Sequence, residues 1–297
     1  MFESIKAKVF IEKALARPDI DNAYKMVDKE DSWYETIKKV HDSVKEISKN
    51  NSTILEIKSF DNLTLKAKYY FQEDINVPTV ICVHGFTSHA EREWAFPGLF
   101  YLSLGFNVLI PYQRAHGLSE GDFITLGALE YKDMINWIKK INEFAPDSKI
   151  LIHGLSMGGG IALDLINKEL KNVKGIIADA PSMSIDSFFN NVCKSVFKEN
   201  GEKVAKLAIK RFNKMFNTDV AKFDRMKNVE NSKYPLLLSA GSNEEYDDLF
   251  TYLKSISPCE VDIIILKDCN HGNGMYKKTK TYQSAIKKFI KRNFKFH

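Results

Sequence analysis

The stretch 150–166, "ILIHGLSMGGGIALDLI", sets Ser156 between two glycines, with an apolar run of strand type before it and an apolar rhythm of helix type after it. Gly154-Leu155-Ser156-Met157-Gly158 matches G-x-S-x-G, a pentapeptide that is a weak signal by itself. Its flanks strengthen it. A sharp strand-to-helix turn strains the serine backbone and leaves no room for side chains two residues to either side, so the hydroxyl is lifted into a cleft. The further small residues Gly159 and Gly160 are expected to let the helix pack close to the sheet. On these grounds Ser156 is read as a nucleophile rather than an ordinary turn residue.

Outward from this turn, short β-rich runs alternate with helical patterns. The runs are "TVICV", "FNVLIP", "KILIHG", "VKGIIADA", "YPLLLSA" and "VDIIIL", and the helices fall near 94–104, 127–144, 157–171, 245–256 and 279–293. Before them, "ILEIKSF" and "LTLKAKYYF" shift toward a period of two and read as a hairpin. The economical fold is α/β, a mostly parallel sheet with helices on both faces. Residues 1–50 read as a helical extension broken at Pro18, and 182–232 as a helical insertion with no strand candidate, leaving 51–181 and 233–297 as the α/β core.

In such a sheet, ligands bind beyond the carboxyl ends of the strands, so the loops after the runs should hold the chemistry. A serine hydroxyl needs a base, and the base needs a carboxylate to hold it. Of seven histidines, His41 and His297 are poorly placed, and His84, His153, His89 and His116 fall at strand ends or in loops. Only His271, in "LKDCNHGNGM", lies late enough for the chain order serine, acid, histidine. The acid should follow "YPLLLSA", where Glu244, Glu245, Asp247 and Asp248 crowd one turn. Glu244 is the first choice, then Glu245 and Asp247, with Asp179 after "IIADAP" as a further alternative; acidic residues also suit a helix start. For the oxyanion, backbone N–H donors are expected from Met157, after the nucleophile, and from Phe86 in the loop His84-Gly85-Phe86-Thr87-Ser88.

Composition narrows the classes. The 297 residues are 44% apolar and 27% charged, with a net charge of +5 spread along the chain, so a substantial core is expected and nucleic-acid binding is not indicated. Cys82, Cys193, Cys259 and Cys269 are scattered, as in a reduced, cytoplasmic protein, with Cys82 and Cys259 expected to be buried free thiols. The first residues alternate charge with apolar side chains rather than forming a signal-peptide core, and no apolar run approaches the roughly 20 residues a bilayer requires. No stable membrane insertion is expected. No pair of histidines has zinc-helix spacing; His84 and His89 are one residue too wide.

With "HGF" in the oxyanion loop, "RAHGLSEG" after the next strand and "HGLSMGG" at the serine, residues 52–295 resemble the α/β-hydrolase superfamily, specifically its bacterial serine hydrolases. The resemblance implies Ser156 as nucleophile, His271 as base, Phe86 and Met157 as amide donors, and esterase-like activity without metal or organic cofactor. It also implies that 182–232 forms a cap. Two positions depart from it: Glu244 stands where the family usually has Asp, and Tyr112 in "PYQRAHG" where it tends to have Asp. Arg114 and His116 are expected to brace that loop.

The expected activity is cleavage of small-molecule carboxylic esters. The same residues would serve a peptidase, an amidase or an acyltransferase, and a non-catalytic binding protein on a hydrolase scaffold is the reading from another class. The insertion phenylalanines Phe188, Phe189, Phe197, Phe212 and Phe216 either line an acyl pocket or dock the insertion helices. Oligomeric state is not legible.

Overall fold

A computed structural model of the chain describes residues 2–294. One eight-stranded sheet forms from β1 (Ser52–Lys58), β2 (Thr64–Tyr70), β3 (Thr79–Val83), β4 (Asn107–Pro111), β5 (Ile150–Leu155), β6 (Val173–Asp179), β7 (Leu236–Gly241) and β8 (Val261–Leu266). The strands lie in the order β1-β2-β4-β3-β5-β6-β7-β8. Only the hairpin is antiparallel: β1 runs against β2 and β2 against β4, while β4, β3, β5, β6, β7 and β8 are parallel. The sequence explains the division. Strands β3 to β5 are buried along their whole length and carry continuous apolar runs, whereas "STILEIK" at the β1 edge alternates and is half exposed.

Helices α1 (Phe2–Ala14) and α2 (Tyr34–Ile47) precede the sheet, and α3 (Ala90–Ser103), α4 (Glu130–Phe144) and α5 (Met157–Leu165) link its central strands. Between β6 and β7 come α6 (Ile185–Phe197), α7 (Gly201–Met215) and α8 (Arg225–Glu230); α9 (Asp247–Ile256), α10 (Gly274–Lys277) and α11 (Thr279–Asn293) complete the chain. One apolar cluster joins the α1, α4, α5, α6 and α7 side of the sheet, and a second joins the α3 and α11 side. Among the described residues, no helix is long and apolar enough to cross a membrane.

Several boundaries differ from the sequence reading for local reasons. Helix α3 starts at Ala90 rather than near 94, because His89 caps it by accepting the Arg92 N–H at 3.4 Å. Helix α5 stops at Leu165 rather than near 171, where the Leu170 N–H instead finds the Tyr234 hydroxyl at 2.7 Å. Cys82 is buried as expected, but Cys259 is only half buried, in the turn before β8. Between α1 and α2 the chain is not helical throughout. Leu15 and Arg17 pair with Ile124 and Asp122 through backbone bonds of 2.7 Å each, and the segment then runs on past Pro18 to α2.

The helices between β6 and β7 pack through aromatic edges. Phe189 and Phe212 are buried, their rings 5.3 Å apart, and Phe10 of α1 meets Phe189 at 6.0 Å. Docking therefore accounts for these rings, while Phe188 faces the Phe86 ring at 5.1 Å. The last helix is held by Arg225, fully buried, whose guanidinium reaches Asp164 of α5 at 2.8 Å and the Ser182 carbonyl at 2.6 Å. This corrects the reading of Gly160: a Cβ there would lie 2.5 Å from the Arg225 guanidinium, so the glycine makes room for that ion pair, and Gly159 is the one that lies against the end of β6. Arg225→Met should leave the Asp164 carboxylate buried without its cation and destabilise the protein by about 3–5 kcal/mol. Urea denaturation checks this; a loss below about 1 kcal/mol would contradict it.

Candidate active site

Ser156 sits at the abrupt join of β5 and α5 with φ +57° and ψ −114°, a backbone region that β-carbon residues seldom occupy. The flanking glycines make this join feasible. A Cβ on Gly154 would fall 2.0 Å from the Gly158 carbonyl oxygen, and one on Gly158 would fall 1.9 Å from that of Val83. Three backbone bonds fix the serine: its N–H donates to the Asp179 carbonyl at 2.8 Å, and its own carbonyl accepts from Gly160 and Ser182 at 3.0 Å each.

His271 lies in the loop between β8 and α10. Its Nε2 stands 2.9 Å from Ser156 Oγ and its Nδ1 2.5 Å from Glu244 Oε1. The two loops meet because β7 ends in Gly241, where a Cβ would lie 2.2 Å from the Cys269 carbonyl oxygen, and the Asn243 N–H donates to that same carbonyl at 3.2 Å. The Glu244 side chain folds back over this turn, its second oxygen accepting the Gly241 N–H at 2.9 Å. A carboxylate clamped at one oxygen can direct the other at the imidazole. The Glu244 bond raises the His271 pKa above its usual value, against the opposing effect of burial.

The other acids are elsewhere. Glu245 and Asp247 are exposed, and Asp179 is buried at the end of β6 with its carboxyl accepting the Tyr282 hydroxyl at 2.8 Å. Burial lifts the Asp179 pKa to about 6. Tyr282 also meets His153 Nε2 at 3.0 Å, and Tyr101 meets His153 Nδ1 at 2.8 Å. Burial holds His153 neutral, with a pKa of about 3. Since the single Tyr282 proton goes to Asp179, His153 Nε2–H must donate to Tyr282 and Nδ1 must accept from Tyr101. The Phe86 and Met157 amides donate to no group among the described residues.

His84 and His116 are buried and pack ring against ring at 4.5 Å, and burial lowers both pKa values. Arg114 braces its loop as expected, bonded to Asp133 at 2.7 and 2.9 Å and to Asp61 at 2.9 Å, and the Tyr112 hydroxyl donates to Glu91. His297 lies outside the described residues.

Two features were missed in the sequence. Glu93 of α3 is buried beneath the oxyanion loop, accepting from the Gly85 N–H at 2.9 Å and from Ser88 Oγ at 2.5 Å; burial lifts its pKa to about 7. Tyr24, from the segment before α2, adds its hydroxyl to the same carboxylate at 3.3 Å. No motif marks either residue, because each is defined by a partner remote in sequence.

A model of the family described as "Serine aminopeptidase, S33" matches residues 76–242, more than half of the chain. The chain belongs to that family. Membership places this S33 chain in the α/β-hydrolase superfamily, as the sequence motifs implied. It is 22% identical over 195 residues to the protein bem46 of Schizosaccharomyces pombe, a match covering 64% of this chain and only 60% of bem46. Among solved structures it is similar to an esterase of Pyrococcus furiosus, with TM-score 0.67 and 24% identity, covering 95% of this chain and 99% of that one. It is also similar to an acylaminoacyl peptidase of Pyrococcus horikoshii, with TM-score 0.62 and 20% identity over 83% of this chain and 42% of the other. At these identities the two structures speak for the fold of this S33 member.

Proposed function

We propose that the chain is a serine carboxylesterase working through an acyl-enzyme on Ser156. The observation that carries this reading is the continuous line from Ser156 Oγ to His271, 2.9 Å, and from His271 to Glu244, 2.5 Å. As Oγ bonds to the ester carbonyl carbon, its proton passes to His271 Nε2, and Glu244 stabilises the resulting imidazolium. The Phe86 and Met157 amides, which have no internal partner among the described residues, receive the oxyanion. Collapse breaks the ester C–O bond and His271 returns the proton to the leaving alcohol. Water then gives its proton to His271 while its oxygen adds to the acyl carbon, and the serine departs with the proton. In this reading the helices of 182–232 cap the core, the substrate is a small-molecule ester, and the enzyme is cytoplasmic, which agrees with its four free cysteines.

Intact-mass measurement after incubation with a fluorophosphonate, followed by peptide mapping, tests the reading. One adduct on Ser156 is expected; no adduct on the wild type would overturn it. Glu244→Gln should lower kcat by on the order of 10⁴-fold. It should also move the acid limb. The base must be neutral, so kcat/KM falls as pH drops through a His271 pKa held above the usual 6.5; without the carboxylate that pKa falls and the limb shifts to lower pH. An unmoved limb in pH–rate profiles would take the acid role from Glu244.

Amide or peptide cleavage is the second reading, favoured by the family description and by the likeness to an acylaminoacyl peptidase. Rates on matched ester and peptide substrates separate the two; faster peptide turnover would replace the esterase.

A further inference from the structure

The cleft in front of Ser156 is a groove of about 370 Å³ that is open to solvent on one side. The core provides one wall, with Leu155, Phe86 and His271, and the segment before α2 provides the other, with Ala23, Tyr24 and Trp33. That segment lies outside the span 76–242 matched by the family.

The wall is firmly held. Arg92 of α3 donates from Nη1 to the carbonyls of Asp21 at 3.0 Å and Ala23 at 2.6 Å, and His41 Nε2 meets the Tyr24 carbonyl at 2.8 Å. Tyr24 donates to Glu93, whose other oxygen holds the Gly85 N–H, so the wall and the oxyanion loop share one carboxylate. Trp33 stands at the start of α2, its N–H on Asp31 Oδ1 at 2.7 Å and its carbonyl accepting the Ile37 N–H at 2.9 Å. Its side chain is half buried, leaving ring surface for a ligand.

We propose that Trp33 is the specificity-determining residue of this site, its indole limiting the ester substituent that lies against this wall to a short apolar one. The proposal rests on the esterase reading above. Because the cleft is open to solvent on one side, the length limit applies to the substituent that runs from Ser156 toward the indole. The Arg92 and Tyr24 bonds tie this wall to α3 and hold it in front of Ser156. Each methylene that a hydrophobic site accepts or rejects is worth about tenfold or more in kcat/KM, so one indole suffices to set a length limit.

The test measures kcat/KM for p-nitrophenyl esters from acetate to dodecanoate, and for acetate esters of increasingly long alcohols, with wild type, Trp33→Phe and Trp33→Ala. Labelling of Ser156 by diisopropyl fluorophosphate is followed in parallel. The wild type should favour short substituents in the series that meets the wall. Trp33→Ala should raise the ratio of kcat/KM on the long members of that series to kcat/KM on acetate by about tenfold, with Trp33→Phe between, and both variants should still be labelled at Ser156. The series that responds identifies which side of the ester faces the indole, and either response supports the proposal. A change of equal factor at every length, or an unaltered length profile, overturns it. Trp33→Phe decides the matter if the alanine variant loses its melting transition. Failure of the wild type to be labelled would overturn the esterase reading itself, and the specificity role with it, whereas normal labelling with an unaltered length profile overturns only the role of Trp33.

Discussion

Ser156→Ala should lose ester hydrolysis by on the order of 10⁴–10⁶-fold in kcat, with a melting temperature within a few degrees of wild type. Only Oγ is removed. The bonds that fix the turn, to Asp179, Gly160 and Ser182, are made by backbone atoms and survive the change, and alanine bears the same φ of +57°. His271 keeps Glu244. The free amides of Phe86 and Met157 would still polarise a bound carbonyl, so the residue of activity should exceed the uncatalysed rate. Calorimetry with steady-state assays separates the outcomes. A variant retaining more than about one-hundredth of wild-type turnover would remove Ser156 from the chemistry.

Gly158→Ala should be the most damaging small substitution in the molecule. Its methyl would meet the Val83 carbonyl oxygen at 1.9 Å and that of His84 at 2.8 Å, both backbone atoms. Val83 ends β3, which is paired along its length with β5 (Val83 with Gly154), so relief requires α5 to leave the sheet or two central strands to part. A cost beyond about 4 kcal/mol follows, against a total stability of about 5–15 kcal/mol for a typical domain. Little cooperative unfolding signal and no fluorophosphonate labelling are expected. Gly160→Ala meets the Arg225 guanidinium at 2.5 Å and the Ser182 carbonyl oxygen at 2.6 Å, longer distances than the 1.9 Å at Gly158, and should be milder. A soluble Gly158→Ala protein melting with wild type would show that the elbow relaxes in a way the packing does not suggest.

The contrast between these glycines shows what can be read from a sequence. The parallel strands announced themselves as apolar runs, and Ser156 and His271, chosen from local pattern and chain order, stand within hydrogen-bond distance of each other. Among the crowded acids the sequence ranks Glu244 first, and Glu244 is the one on His271; what brings it there, the close approach of Gly241 to the Cys269 backbone, is a contact between two loops that no local pattern shows. Glu93 with Tyr24 is harder still: the partners are 69 positions apart, and a carboxylate among "EREWAFP" reads as an ordinary helix residue. The distinction between Gly159 and Gly160 depends on Arg225, which no local pattern links to them. Periodicity reports which face of an element is buried, and it is silent about the polar group that meets it there.

For anyone building chimaeras, the Ser182 amide decides where the crossover points belong. This residue opens the segment between β6 and β7, yet its N–H bonds to the carbonyl of Ser156 and its own carbonyl holds Arg225. A foreign segment spliced in at 182 and 232 would therefore take Arg225 away from the Ser182 carbonyl and leave Asp164 without its cation, and lost turnover in such a hybrid would say nothing about its new substrate range. Junctions at 184 and 224 leave both residues with the host, so that swapped helices can be judged on selectivity alone.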